Sequence, residues 1–334
     1  MPIPDSVQHR LNGKAKFGTA AGPTPKRGEA IFAGNDFPHE WVDFVGQAEA
    51  KEHLFASVLS AHRRMKRLDH TLLESGLHGI GKTTLACIVA YQMGVGITFV
   101  SGPVSVDEAR AALLNMQDHD ILFWDEFHSA VAGSKSRADW LLPFLTDGAL
   151  VTSKGSEPMP DVTVIGATTD AGRLPQTILS RFMIRPELTN YSENEGVQIV
   201  DRLSGRMGVP VDPDELLPIA RAANCNPRDM RTILTAVRDV AYTPSGFTLD
   251  KALRWAGFSH DGLDRVSRDI LLLLLDAKDH TMALETISAH LGEPGPLKHH
   301  EQLLLQKGFL TIVGRGRQLT NEGIGRAVQL IEER

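Results

Sequence analysis

The sequence predicts an α/β fold in its first half and a helical second half that ends in three helices and a β-hairpin. Short apolar runs in the first half resemble strands, and helix-compatible segments alternate with them. These runs are residues 71–74, 98–101, 121–124 and 162–167. Such alternation is typical of a parallel sheet covered by helices on both faces. After Leu188 the strands stop and consecutive helical patterns begin.

The length of 334 residues suits two or three domains, and the patterns suggest where they divide. Residues 1–36 are rich in Gly, Pro, Ala and Lys without an apolar period, which predicts a mobile tail. An α/β domain follows at 37–188, a small helical domain at 189–257, and a winged helix at 258–334. The predicted helices are 48–65, 82–93, 106–116, 137–145, 193–207, 213–223, 227–241, 265–275, 283–291 and 298–307, and the hairpin strands are 308–313 and 318–320.

The composition excludes several classes of protein. Hydrophobic residues make up 42% and charged residues 23%, as in an average globular protein. The two cysteines, Cys87 and Cys225, lack the spacing of metal ligands, which excludes a zinc finger or a disulfide scaffold and suits a reducing cytosol. The longest aliphatic run, Ile270–Leu275, is too short to span a membrane, and the N-terminus has no apolar signal segment. We therefore expect a cytoplasmic protein with no membrane partner.

The charge pattern argues against a protein held on nucleic acid by its overall charge. The net charge is −6, although residues 1–27 carry five basic side chains and one acidic side chain. The positive tail is more simply explained as a solvated segment than as a phosphate contact. Any contact with nucleic acid must come from a local patch or from several subunits together.

A phosphate-binding loop follows the first predicted strand. Gly76, Gly79, Gly81, Lys82 and Thr83 occupy every fixed position of the pattern G-x-x-x-x-G-K-[ST]. The glycines let backbone N–H groups converge on phosphates, and the helix N-terminus adds a favourable dipole. The Lys82 ammonium would contact the β- and γ-phosphates, and the Thr83 hydroxyl would bind Mg²⁺. The alternative, a Gly-rich turn without nucleotide, does not explain the strand before the loop and the helix after it.

Two acids complete the candidate site. The apolar strand at 121–124 ends in Asp125 and Glu126, at the edge of a parallel sheet where ligands bind. Asp125 would hold Mg²⁺, and Glu126 would orient and polarise the attacking water. A solvated strand end is the alternative for a lone Asp-Glu pair. Together with the phosphate loop, these acids predict a nucleoside triphosphatase that uses Mg²⁺.

Beyond these two motifs, the sequence resembles the RuvB family, the AAA+ motors of bacterial Holliday junction branch migration. The similarity extends from about Phe37 to about Val328. It is carried by Gly79–Ala86, Ile88–Ala90, Met93–Val95, Ser101–Val104, Asp125–His128, Ile165–Thr169, Leu179–Phe182, Arg238–Ala241, Gln306–Leu310 and Gly314–Arg317. The first of these are general AAA+ features, whereas Ser-Gly-Pro-Val, Gly-Ala-Thr-Thr and Gly-Arg-Gly-Arg are more specific. The resemblance implies an AAA+ domain, a helical lid at 189–257 and a ring of identical subunits, most simply a hexamer.

The resemblance also implies roles for single residues. Thr169 matches the sensor 1 position, between the two strands that carry the nucleotide motifs, where a polar group can read the γ-phosphate. Arg181 matches the arginine finger, which enters the nucleotide site of the neighbouring subunit. Arg228 matches sensor 2, at the start of a lid helix. The alternatives are an ordinary strand-end threonine for Thr169 and a surface salt bridge for Arg181.

The same resemblance implies further nucleotide and DNA contacts. Thr84 completes the phosphate loop segment, and the adenine pocket would be lined by Phe44, Val45 and Tyr191, although core packing explains these three nearly as well. Arg315 and Arg317 alternate with glycine at the tip of the wing, which would expose both guanidinium groups to DNA phosphates or the minor groove. A solvated turn is the alternative for the wing.

One segment departs from the family. Residues 150–160 fall where the family has a protruding hairpin that docks onto RuvA, but here the segment is shorter and contains Pro158 and Pro160. Proline removes hydrogen-bond donors from a strand pair, so a long hairpin is not expected and a RuvA-type partner is in doubt. We expect an ATPase acting on duplex or four-way junction DNA as a branch migration or translocation motor. The alternative is an AAA+ loader or remodeller that places a protein partner on DNA.

Overall fold

The computed structural model of the chain describes residues 38–131, 140–152, 155–244, 246–292 and 297–333. The predicted tail at 1–36 lies outside these residues. The chain forms two compact units that divide between Tyr191 and Ser192. Within the described residues, no helix is both long enough and apolar enough to cross a membrane.

A parallel sheet forms the centre of the first unit, as the sequence predicts. Its strands and those of a separate hairpin are β1 (Thr71–Glu74), β2 (Ile97–Ser101), β3 (Ile121–Asp125), β4 (Ala149–Thr152), β5 (Gly155–Pro158) and β6 (Thr163–Thr168). The sheet order is β1-β6-β3-β2, with all pairs parallel. Every residue of β6 is buried, as expected for a central strand covered on both faces. The carboxyl ends of β1, β6 and β3 therefore meet at one edge, where ligands bind in such sheets.

Helices and aromatic side chains cover the sheet. The helices of this unit are α1 (Ala48–Arg64), α2 (Lys82–Met93), α3 (Val106–Leu113), α4 (Leu141–Asp147) and α5 (Gln176–Leu179). Trp124 on β3 is 1% exposed and stacks on Trp140 with ring centroids 5.9 Å apart. Gly166 on β6 lets Leu72 and Phe127 approach closely, because a Cβ there would lie 3.0 and 3.1 Å from their side chains.

The hairpin of β4 and β5 is short. Its strands pair antiparallel over four residues each, from Ala149 opposite Pro158 to Thr152 opposite Gly155. Arg110 on α3 holds it in place, with Nε and Nη2 donating to the two carboxylate oxygens of Glu157 at 2.6 and 2.8 Å. The expectation that a long hairpin is absent from this segment is confirmed for the described residues.

The second unit begins with helices whose ends are set by capping residues. They are α6 (Glu193–Met207), α7 (Pro213–Ala222), α8 (Pro227–Ala241) and α9 (Leu249–Ala256). Ser192 and Glu195 form a reciprocal capping box at the start of α6, and Gly208 ends that helix in the left-handed conformation. The sequence analysis did not predict α9, which Thr248 caps by accepting a hydrogen bond from the Lys251 N–H.

A winged helix completes the second unit. Its elements are α10 (Arg265–Asp276), β7 (Thr281–Ala283), α11 (Leu284–Leu291), α12 (Lys298–Gln306), β8 (Leu310–Val313), β9 (Gly316–Leu319) and α13 (Asn321–Glu332). The three strands pair antiparallel in the order β7-β9-β8. The predicted helices and hairpin are present, whereas β7 and α13 were not predicted. Buried leucines and isoleucines from α10, α11, α12 and α13 form the core of this part.

Hydrogen bonds cross position 257, where the sequence analysis divides the lid from the winged helix. Asn224, before α8, donates from Nδ2 to the Gly262 carbonyl at 2.7 Å. Arg268 on α10 donates from Nη2 to the Gly257 carbonyl at 3.0 Å. The lid and the winged helix therefore belong to one compact unit, and the division at 257 stays a prediction.

Candidate functional site

The phosphate loop lies between β1 and α2, as its motif predicts. Gly79 and Gly81 have φ angles of 77° and 103°, which only glycine adopts without strain. Lys82 is the first residue of α2 and is 7% exposed. Its Nζ donates to the Ser75 hydroxyl at 3.1 Å and to the Leu77 carbonyl at 2.9 Å. The loop therefore directs a buried ammonium and a helix N-terminus with no side-chain cap toward the sheet edge.

The predicted adenine residues lie beside this loop in the same unit. Phe44 and Tyr191 are 7% and 8% exposed, and Val45 is half-buried. A Cβ on Gly81 would lie 2.7 Å from Phe44 Cζ, so the Phe44 ring rests directly on the loop. Tyr191 donates its hydroxyl hydrogen to the Ile80 carbonyl at 2.8 Å. The structure thus brings Phe44 and Tyr191 together at the phosphate loop, and their role toward adenine stays a prediction.

Two polar residues that the sequence analysis missed anchor the segments that carry Phe44 and Tyr191. Gln47 exchanges a pair of hydrogen bonds with the backbone of Thr189, with Nε2 donating at 2.7 Å and Oε1 accepting at 3.0 Å. Lys51 on α1 is 6% exposed and donates to the Phe44 carbonyl at 2.6 Å. A lysine on the apolar face of a helix is the one sequence signal that indicates such a contact.

The two acids follow β3 at the same edge. Asp125 ends the strand, and its Oδ1 accepts a hydrogen bond from the Glu126 N–H at 3.0 Å. Glu126 has a φ of 50°, in the left-handed region that a non-glycine residue rarely occupies. Its carboxylate has an imidazole near each oxygen, with His78 Nδ1 3.5 Å from Oε1 and His128 Nδ1 3.5 Å from Oε2. Neither histidine was predicted from the sequence, although His78 lies within the phosphate loop motif.

β6 carries the predicted sensor residue, Thr169, at its end. β6 lies between β1 and β3, so its end faces the same sheet edge as both nucleotide motifs. Thr169 is half-buried and comes directly after β6. The contact with the acidic motif comes from the preceding residue, because Thr168 Oγ1 lies 3.0 Å from His128 Nδ1. The role of Thr169 toward a γ-phosphate stays a prediction.

Arg181 and Arg228 are both exposed. Arg181 comes two residues after α5 and next to Phe182, which is 3% exposed and anchors the segment in the core. Among the described residues, Arg181 forms no ion pair. Arg228 lies in the first turn of α8, where its N–H donates to the Asn226 side chain at 3.0 Å. Their roles as finger and sensor stay predictions.

One of the two wing arginines is not where the sequence analysis expected it. Arg315 is exposed at the hairpin tip, but the prediction that the Arg317 guanidinium is exposed is wrong. The Arg317 side chain is 18% exposed and its Nε donates to Glu301 Oε1 at 2.6 Å. Glu301 lies on α12 and its side chain is 11% exposed. The side chains of β9 alternate across the wing sheet, and this alternation turns Arg317 toward α12 rather than toward solvent.

Comparisons with known proteins decide the family. A family model described as the Holliday junction DNA helicase RuvB P-loop domain matches residues 37–188. A second, the RuvB C-terminal winged helix domain, matches residues 260–326. The chain is 32% identical over 303 residues to the Holliday junction branch migration complex subunit RuvB of Fusobacterium nucleatum, covering 85% of this chain and 90% of that protein. The chain belongs to the RuvB family.

Solved RuvB structures have the same fold. The RuvB Holliday junction branch migration motor of Thermotoga maritima matches with a TM-score of 0.74 and 28% identity, over 87% of this chain and 97% of that one. A variant of that RuvB matches with a TM-score of 0.76 over the same shares. The RuvB-type fold and the intact phosphate loop identify this chain as a nucleotide-binding P-loop ATPase.

Proposed function

We propose that this chain is an ATP-driven motor for Holliday junction branch migration, acting on DNA in the bacterial cytoplasm as a ring of identical subunits, most simply a hexamer. The observation that carries this proposal is the phosphate loop and the Asp125-Glu126 pair at one sheet edge of a RuvB-family chain. A winged helix in the second unit supplies a module suited to DNA.

The residues at the sheet edge fit ATP and Mg²⁺. Gly76, Gly79 and Gly81 allow phosphates to approach the backbone, Lys82 supplies a point charge, and Thr84 lies in the first turn of α2. The Thr83 hydroxyl and the Asp125 carboxylate are hard oxygen donors of the kind that Mg²⁺ prefers. The described residues hold no cluster of three or more metal-binding side chains. That suits Mg²⁺, which in phosphoryl-transfer sites takes few protein ligands besides substrate oxygens and water.

Hydrolysis would depend on how these residues place charge. Mg²⁺, when bound, neutralises charge on the β- and γ-phosphates. Lys82 binds the same phosphates, and Glu126 orients a water for in-line attack on the γ-phosphorus and accepts its proton. Thr169 would hold a γ-phosphate oxygen from the end of the sensor strand. Phe44, Val45 and Tyr191 would enclose the adenine.

The exposed arginine after α5 supports assembly-dependent hydrolysis. Arg181 is held by a buried neighbour yet extends into solvent, so it can reach the nucleotide of a second subunit. A guanidinium supplied in trans stabilises charge in the transition state and makes turnover depend on the ring. Arg228 would respond to the γ-phosphate from the lid, and rotation of the lid would deliver the mechanical output.

Surface features support the proposed contacts with DNA and with a protein partner. Arg315 at the wing tip is exposed and suits a phosphate contact, whereas Arg317 is held by Glu301. The four-residue strands of the β4-β5 hairpin offer a small surface for a RuvA-like partner. The same short hairpin is the observation that favours the alternative, a loader that places another protein on DNA.

The first experiment measures the ATPase rate with a four-way junction, a linear duplex or single-stranded DNA, at one low and one physiological salt concentration. Salt is varied because phosphate contacts dominate affinity for DNA. We expect stimulation by junction or duplex DNA in the wild type and none in Glu126→Gln, which should still bind ATP. A wild type that no DNA stimulates contradicts the motor and favours the loader.

A mixing experiment tests the ring. Arg181→Ala and Lys82→Ala should each be inactive alone, because one lacks the finger and the other lacks the phosphate-binding ammonium. Mixed in one ring, an Arg181→Ala subunit with an intact loop receives the finger of its Lys82→Ala neighbour, so activity should return in part. Full activity of Arg181→Ala alone would show that the finger assignment is wrong.

A further inference from the structure

One imidazole lies between the end of the sensor strand and the carboxylate that would activate water. His128 Nδ1 is 3.0 Å from Thr168 Oγ1 and 3.5 Å from Glu126 Oε2. The His128 side chain is only 14% exposed. The neighbouring strands β3 and β6 are thus joined at their carboxyl ends by a side-chain contact as well as by their backbone pairing.

The backbone around His128 leaves its ring little freedom. The Glu126 carbonyl accepts hydrogen bonds from the Ser129 N–H at 2.8 Å and from the Ser129 hydroxyl at 2.7 Å, which closes a 3-10 turn over Phe127–Ala130. Phe127 in this turn is fully buried and packs under Gly166 of the sensor strand. The turn therefore fixes the backbone position of His128. The contacts with Thr168 Oγ1 and Glu126 Oε2 fix the position of Nδ1.

The hydrogen-bonding capacities of the three groups assign the proton. A carboxylate only accepts, and Thr168 Oγ1 already accepts the Asp170 N–H at 3.1 Å while keeping a second lone pair. The tautomer with its proton on Nδ1 can donate to Thr168 and presents no lone pair to the Glu126 carboxylate. The Nδ1–H then donates to Thr168 Oγ1 at 3.0 Å, and Glu126 Oε2, 3.5 Å from the same nitrogen, makes an electrostatic contact with it. The Glu126 carboxylate is therefore coupled to the end of β6 through this N–H group.

We propose that His128 is a positioning residue for hydrolysis: its Nδ1–H, bonded to Thr168 on the sensor strand, holds the Glu126 carboxylate in place by electrostatic attraction. This inference rests on the proposed ATPase role of Glu126. The second imidazole, that of His78, is 52% exposed at the same distance, so solvent weakens its contact more strongly. His128 acts on the chemical step, since it contacts the acid and the sensor strand rather than the phosphate loop.

The test compares His128→Ala, His128→Asn and Thr168→Val with the wild type under DNA-stimulated conditions. The asparagine amide nitrogen can take the place of Nδ1, and valine removes the threonine hydroxyl at nearly constant shape. We expect His128→Ala to lower kcat about 10–100-fold, the scale of a misplaced catalytic group. The dissociation constant of a fluorescent ATP analogue should change less than about 3-fold, because the phosphate loop is untouched. His128→Asn should recover most of kcat.

A double-mutant cycle separates this mechanism from general damage. If Thr168 and His128 act as one unit, Thr168→Val with His128→Ala should lower kcat no further than His128→Ala alone, rather than by the product of the single effects. His53→Ala, an exposed histidine on α1, is the matched control and should retain wild-type kcat. Thermal unfolding of every variant checks folding, and His128→Asn serves if the alanine variant does not fold.

The outcomes separate two failures. A wild type without ATPase activity, or an active Glu126→Gln, overturns the proposed function itself. An active wild type with His128→Ala within about 2-fold of its kcat overturns only the positioning role. The same conclusion follows if His128→Asn is as impaired as the alanine variant while Thr168→Val is normal, because the Nδ1 link would then carry nothing.

Discussion

The wing offers a sharp test because its two arginines have opposite surroundings. Arg317 Nε and Nη2 both contact Glu301 Oε1, at 2.6 and 2.5 Å, and both side chains are largely buried. Arg315, two residues earlier, is exposed at the tip. Arg317→Ala would leave the Glu301 carboxylate on α12 without its guanidinium partner. We expect this change to act on stability, and Arg315→Ala to act on DNA binding.

The magnitude follows from the burial of the pair. Removing one partner of a buried ion pair costs about 3–5 kcal/mol, because the remaining charge stays desolvated. In a protein part of this size each kcal/mol lowers Tm by about 2–4 °C, so Arg317→Ala should lower the Tm of the second unit by about 6–20 °C. Replacing both residues by apolar ones of similar length, Glu301→Leu with Arg317→Met, should recover most of that loss. Arg315→Ala should change the free energy of unfolding by less than about 0.5 kcal/mol.

Thermal unfolding by circular dichroism measures the first effect, and DNA affinity over a salt series measures the second. Arg315→Ala should weaken binding to all sequences alike and lower the slope of log K against log salt by about 1, since one phosphate contact is lost. An Arg317→Ala variant that unfolds at the wild-type temperature would refute the reasoning. So would a double replacement that unfolds as early as Arg317→Ala.

Two further changes have defined outcomes. Gly81→Ala should weaken binding of a fluorescent ATP analogue at least about 10-fold, because its φ of 103° strains any side chain and its Cβ would meet Phe44; Gly205→Ala, on an open helix surface, is the control that should bind normally. Burial and the nearby Asp264 raise the pKa of Asp229 to about 6, so the folded protein holds this proton more tightly than the unfolded chain. The resulting loss of stability develops as pH rises from about 4 through 6. Asp229→Asn should therefore raise Tm above pH 6 but leave it unchanged near pH 4. A series of melting curves at different pH values measures this effect.

Local signals set the helix ends that the sequence predicted best. α2, α6 and α8 begin and end at the predicted residues because a capping or glycine residue stands before each of them, and Gly94 and Gly208 end the first two. α13 was missed although Thr320 caps its start. It contains Gly323, where a Cβ would lie 2.1 Å from the Phe309 carbonyl oxygen, so tertiary packing requires the residue that lowers helix propensity.

The sequence predicted the site residues that lie within one short segment. It did not predict contacts between residues that are far apart in the chain. The phosphate loop and the acidic pair each lie within a short segment, so spacing alone indicated them. The Gln47 contact with Thr189 joins residues 142 positions apart, and the His128 contact with Thr168 joins residues 40 apart. No pattern along the chain encodes these pairs, because they exist only once the sheet brings its strand ends together.

Charged groups of the second unit lie in a series from the first turn of α8 to the wing. Asp264 caps α10 and pairs with His300 on α12 at 3.1 Å, and this partner contributes to lowering the pKa of Asp264 to about 2 despite its burial. The same carboxylate raises the pKa of Asp229, in the first turn of α8 beside the predicted sensor residue.

Beside His300 on α12 lies Glu301, which holds the wing strand through Arg317. The start of α8 and the wing are therefore joined by charged groups whose interaction depends strongly on distance. A small displacement of the first turn of α8 changes the field at Asp264 and His300, next to the residue that fixes the wing.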